Sequence, residues 1–172
     1  MKILFCTDSL YAEVPKKLLT KGLNAKILKV SIPGSTVMEL GLALVYRVRA
    51  MVKPPKIILL SAGTNDAKFQ IDKFYQEIRK LLEFCVNLNI LFLCLPIPYS
   101  KLATDQKINE MNNVINKCSY YDFNLQYSQK DLSYDRLHLT DECIAEKLKK
   151  IKVILNLSIS NLKFGEEFWV KS

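Results

Sequence analysis

Four short stretches hold the residues whose types could do chemistry: "TDSL" at 7–10, "PGST" at 33–36, "GTND" at 63–66 and "DRLH" at 135–138. Ser9 carries a hydroxyl two residues beyond a short apolar run. Such a hydroxyl becomes a nucleophile only when a base takes its proton. His138 is the chain's one histidine, and Asp135 stands three residues before it. A lone histidine by itself reads as structural, but this one has company. An Asp at that spacing reaches back to the imidazole Nδ1, fixes the tautomer and leaves Nε2 for a hydroxyl. A tetrahedral oxyanion then needs hydrogen-bond donors. The Ser9 N–H, read as opening a helix, is one candidate. Gly34, with no Cβ, lets a second backbone N–H come close, and the Asn65 amide offers a third donor. Asp66 reads as a structural group that holds its loop.

The elements that position these residues follow from hydrophobic spacing. Apolar runs at 2–6, 25–32, 56–62 and 90–96 read as strands, and 121–125 as a weaker fifth. Between them lie helical patterns at 12–22, 37–52, 69–89 and 104–118, followed by 140–157, which Thr140 opens as N-cap. Strand–helix alternation five times over predicts a five-stranded parallel sheet with helices on both faces, a three-layer α/β/α domain. In an open parallel sheet, ligands bind at the carboxyl ends of the strands. All four stretches fall on that edge.

In their order and approximate spacing, "TDSL", "PGST", "GTND" and "DRLH" resemble the four blocks of the SGNH (GDSL-type) hydrolases. The resemblance covers residues 2 to about 155. It implies a flavodoxin-like fold and hydrolysis of esters or thioesters without metal or cofactor. It also implies Ser9 as nucleophile, His138 as base with Asp135 as its partner, and an oxyanion hole of Ser9, Gly34 and Asn65. One block departs from the pattern, because Thr7 stands where the family usually has glycine. A branched residue does not relax into a turn with positive φ, so a turn that needs one would misplace Ser9. Within the family, the compact size, "PG-x-x-V" and "GTND" are similar to the esterase domains of LINE retrotransposon first-ORF proteins and to platelet-activating-factor acetylhydrolase-like enzymes.

The totals bound the rest. A chain of 172 residues with 49% hydrophobic and 24% charged residues fits one globular domain. We expect a hydrolase domain over 1–158 and a C-terminal tail over 159–172, whose Phe164, Phe168 and Trp169 show no helical period. Cys6, Cys85, Cys94, Cys118 and Cys143 are odd in number and unpaired in spacing, which argues against a disulfide framework or a zinc site. No signal-like or membrane-length apolar run is visible, so the expected location is intracellular, in the cytoplasm. The expected partner is a small-molecule ester, a lipid or an acetylated substrate with a short acyl group. Tyr99 and Leu102 are candidates for an acyl slot.

The net charge of +8 suits weak association with nucleic acid or another anionic surface, although basic groups at 46–56 and 147–152 also read as solvated helix faces. Two rivals remain. A flavodoxin-type phosphate binder is disfavoured because the loop after the first strand has no glycine to let amides surround a phosphate. An inactive hydrolase fold that serves as a basic binding scaffold would not need Ser9, Asn65, Asp135 and His138 together.

Overall fold

The run "KIILLSA" becomes β3 (Ile57–Ser61), buried at every residue, as a strand covered on both faces requires. The computed structural model describes residues 1–135 and 138–163. Arg136 and Leu137 of "DRLH" and the aromatic residues of the tail lie outside the described residues. β3 pairs in parallel with β1 (Lys2–Thr7), which pairs in parallel with β2 (Lys26–Ser31); β4 (Leu91–Cys94) pairs with the other side of β3. The strand order is β2-β1-β3-β4.

Alternate residues of each strand face opposite ways, so the sheet separates two cores. Leu4, Cys6, Ile58 and Leu60 pack with α2 (Val37–Arg49), α3 (Ile71–Asn87) and α4 (Asp105–Cys118). Ile3, Phe5, Ile57 and Leu59 pack with α1 (Lys16–Thr20) and α5 (Asp141–Lys163). The result is the three-layer α/β/α architecture. Among the described residues, no helix is long and apolar enough to cross a membrane.

Three expectations need correction. Among the described residues the sheet has four strands, not five. Where the fifth was expected, the Tyr120 N–H donates to the Phe92 carbonyl (3.1 Å). The next place on the ladder is taken by a side chain, as Cys94 N–H donates to Ser119 Oγ (3.0 Å). Asn124 then turns the chain with φ 43°, and Asp122 Oδ1 accepts its N–H at 2.8 Å. Phe123 and Leu125 stay buried without a ladder.

The first helix is also shorter than the 12–22 pattern. Thr7 Oγ1 accepts the Tyr11 N–H and Asp8 Oδ1 the Leu10 N–H. These bonds hold residues 8–13 in turns, and the helix starts only after Pro15. Finally, α5 runs on through the boundary expected at 158, with Ile159 buried.

Candidate active site

Of the four stretches, "GTND" and "PGST" are joined by a side chain, and the bonds within each have a cause in the sequence. β1 ends at Thr7, which is fully buried and paired with Ser31 and Ser61. It is extended: among the described residues the only non-glycine residues with positive φ are Asn89 and Asn124. The strand end needs no glycine, so Thr7 is accommodated there without backbone strain. The Thr7 hydroxyl adds to the turn by donating to the Asp8 carbonyl (3.2 Å). Ser9 follows, half-buried, in a turn closed by Ala12 N–H on the Ser9 carbonyl (3.3 Å). It does not open a helix, so any help to an anion comes from its own N–H and not from a helix terminus. Among the described residues neither the Ser9 N–H nor its hydroxyl has a hydrogen-bond partner.

The structure pairs His138 with Asp135. His138 Nδ1 lies 2.5 Å from Asp135 Oδ2, and the His138 backbone N–H donates to Asp135 Oδ1 at 3.1 Å. Ser133 Oγ also donates to Oδ1 (2.6 Å). A carboxylate fixed at both oxygens holds the imidazole by one nitrogen and leaves Nε2 as the free one. The turn that carries the pair is closed by Ser133 N–H on the His138 carbonyl (2.8 Å) and by the Leu132–Leu139 bridge. Thr140 then caps α5, accepting the Cys143 N–H at 3.2 Å. The His138 side chain is about half exposed, at 47%.

Asn65 belongs to a 3-10 turn, Thr64–Lys68, entered through Gly63. Gly63 has φ 126°, and a Cβ there would stand 2.5 Å from Ile97 Cδ1. Only glycine fits. Asn65 Nδ2 donates one hydrogen to the Ser35 carbonyl (3.0 Å) and has a second to give. Asp66 does what was expected of it. Its Oδ2 accepts the Val37 N–H (2.9 Å) at the start of α2, so "GTND" is tied once to "PGST" and once to the helix that follows it. Gly34, with φ 78°, is exposed. Among the described residues no bond joins it to Ser9 or Asn65. It lines a cleft of about 230 Å³ with Thr36, Glu39, Asp66 and Lys68. Tyr99 lines another cavity of about 230 Å³ beside Ser100, Gln129 and Leu132. Leu102, the other acyl-slot candidate, is not among its walls.

Sequence reasoning passed over Asp8, although it stands beside Ser9 inside "TDSL". It is fully buried. Oδ1 accepts the Leu10 N–H at 3.0 Å, while Oδ2 has no partner. Burial pushes its carboxyl up to about 7; the Leu10 N–H opposes this, Asp66 adds to it, and His138 draws it back down. Asp66 is pushed up to about 6, again chiefly by burial. Among the described residues no group of three or more His, Cys, Asp or Glu side chains is placed to hold a metal ion.

No protein-family model matches the sequence, and no curated protein does. Solved structures do match. A psychrotrophic esterase from Pseudoalteromonas sp. has a TM-score of 0.73 with 16% identity, covering 93% of this chain and 99% of that one. A putative lipolytic protein of the G-D-S-L family from Desulfitobacterium hafniense has 0.72 with 17% identity, covering 90% and 99%. An acetyl xylan esterase has 0.72 with 21% identity, covering 90% and 100%. The four-stranded parallel sheet and its two helical layers are therefore the fold that this chain shares with these two esterases and with the lipolytic protein of the G-D-S-L family.

Proposed function

We propose that this protein is a serine hydrolase of carboxylic esters. The observation that carries the reading is the Asp135–His138 pair, with Nδ1 held at 2.5 Å, on the same sheet edge as the unpartnered hydroxyl of Ser9. His138 takes the Ser9 proton through Nε2 as Oγ attacks the ester carbonyl. The negative charge that develops on the carbonyl oxygen is met by the N–H of Ser9, the N–H of Gly34 and the second amide hydrogen of Asn65. The tetrahedral adduct collapses, and His138 returns the proton to the departing alcohol. Water, deprotonated by the same histidine, then attacks the acyl-serine and releases the acid. No step requires a metal or cofactor. Short acyl groups are favoured by the fold shared with an acetyl xylan esterase.

The test is hydrolysis of p-nitrophenyl acetate and butyrate by the wild type, Ser9→Ala and His138→Ala, with folding checked by circular dichroism. Each substitution is expected to lower kcat by roughly 10⁴–10⁶-fold. A fluorophosphonate is expected to label the wild type and not Ser9→Ala. Undiminished activity in Ser9→Ala would remove the nucleophile. A wild type that is both inactive and unlabelled would favour the inactive scaffold.

A further inference from the structure

Among the described residues, the end of the molecule opposite the reaction loops is cationic. β1, β2 and β3 all begin there. Lys2 and Lys26 are partners in register, and the Lys56 N–H donates to the Lys2 carbonyl (3.0 Å). Three lysines therefore stand side by side on adjacent strands, whose spacing is about 4.8 Å. α2 descends to the same end, bringing Arg47 and Arg49 in its last turns and Lys53 just beyond. Lys2 is half-buried and the other five are exposed.

Segments 1–2, 21–26, 47–57 and 86–91, which lead into the four strands, contain no Asp or Glu. Among the described residues none of these six cations forms an ion pair. Arg47 and Arg49 have a local use against the negative end of the α2 dipole. The four lysines lie outside the helices, so the dipole does not account for them. The loops at the other end carry both signs, with Asp8, Asp66 and Asp135 alongside Lys68, Lys101 and Lys130.

We propose that this cationic end docks on an anionic lipid surface. Aliphatic side chains decide between that and nucleic acid. Val52, at the turn between Arg49 and Lys53, is 100% exposed, and Leu88, at the end of α3, is 42% exposed. Lysines that meet headgroups and aliphatics that enter the acyl boundary are the two components of interfacial binding. Single-stranded nucleic acid calls for a series of stacking aromatics, and among the described segments that carry these cations Tyr46 is the one exposed aromatic residue. Docked this way, the molecule holds the Ser9 loop away from the bilayer, so the surface acts as a place of residence and not as the source of substrate.

The experiment is flotation of the full chain with vesicles of phosphatidylcholine alone or mixed with phosphatidylserine. It does not read hydrolysis, so its outcome is independent of the esterase assignment. Binding is expected only to the mixed vesicles and is expected to weaken with salt. At about five-fold per cation, Lys26→Gln/Lys53→Gln/Lys56→Gln loses affinity on the order of 100-fold. Val52→Ser weakens binding while keeping its salt dependence. No binding to the mixed vesicles at low salt overturns the proposal. So does wild-type affinity in the triple variant, or tighter binding to an oligonucleotide that the triple variant loses.

Discussion

Asn65 gives one amide hydrogen to the Ser35 carbonyl, and that bond aims the other. A donor held this way costs no reorganisation when charge develops. Asn65→Ala is expected to lower kcat for p-nitrophenyl acetate by roughly 10²–10³-fold with little change in KM. An equal loss confined to KM would mean that Asn65 binds substrate and not the oxyanion.

Asp8 has a different signature. Burial raises its carboxyl to about 7, from 3.8 when free. Between those values the folded chain holds more protons at this site than the unfolded chain. Stability therefore falls as pH rises from about 4 to about 7 and stays lower above, by roughly 4 kcal/mol. Asp8→Asn, which cannot ionise, is expected to narrow the Tm difference between about pH 5 and about pH 8 by several degrees. Asp66, raised to about 6, leaves a smaller slope of the same sign. An unchanged slope would show that Asp8 is already ionised in the fold.

At the scale of elements, the turn that starts at Gly63 carries the most constraint per residue. Gly63 and Gly22 both have positive φ, but a Cβ at Gly22 meets nothing within 4 Å. Gly22→Ala is expected to cost about 1 kcal/mol, the backbone preference alone. Gly63→Ala adds a clash with Ile97 and Phe74 and is expected to cost about 3 kcal/mol. Urea unfolding of the two variants measures the difference, and equal costs would mean that Ile97 moves aside.

The same elements show what the sequence could tell. Strands and long helices were legible because their burial repeats locally: β3 is an apolar run, and α3 buries Phe74, Ile78, Leu81 and Cys85 at helical spacing. The pairing of Asp135 with His138 was legible because three residues separate them. The hold of Asn65 on Ser35 spans 30 residues and that of Asp66 on Val37 spans 29, beyond any local pattern. The fifth strand failed because Ser119 substitutes a side chain for a ladder partner and Asn124 then turns away. The expected start of α1 at residue 12 failed because the chain turns there, with Ala12 N–H on the Ser9 carbonyl and Val14 N–H on the Tyr11 carbonyl, and Pro15 disfavours a helical Val14 before it.

Considered whole, the molecule is two cores divided by one sheet, and its thiols report on both. Cys6, Cys85, Cys94 and Cys118 lie in one core and Cys143 in the other. All five are free and buried. Burial raises each thiol, Cys85 to about 12 and Cys143 to about 11, so thiolate is scarce as well as hidden. Native protein at about pH 8 is expected to react negligibly with a chromogenic disulfide, and all five thiols are expected to react together in denaturing urea. If Cys143 reacts ahead of the other four, the α1/α5 side opens first. A fast reaction of several thiols without urea would contradict the packing.

The cluster of cations at one end has a practical corollary. On a sulfonated bead the protein is expected to settle end-on, with the reaction loops turned to the liquid. Such a non-covalently immobilised catalyst is expected to keep its solution kcat/KM for small esters and to be released intact by a salt wash.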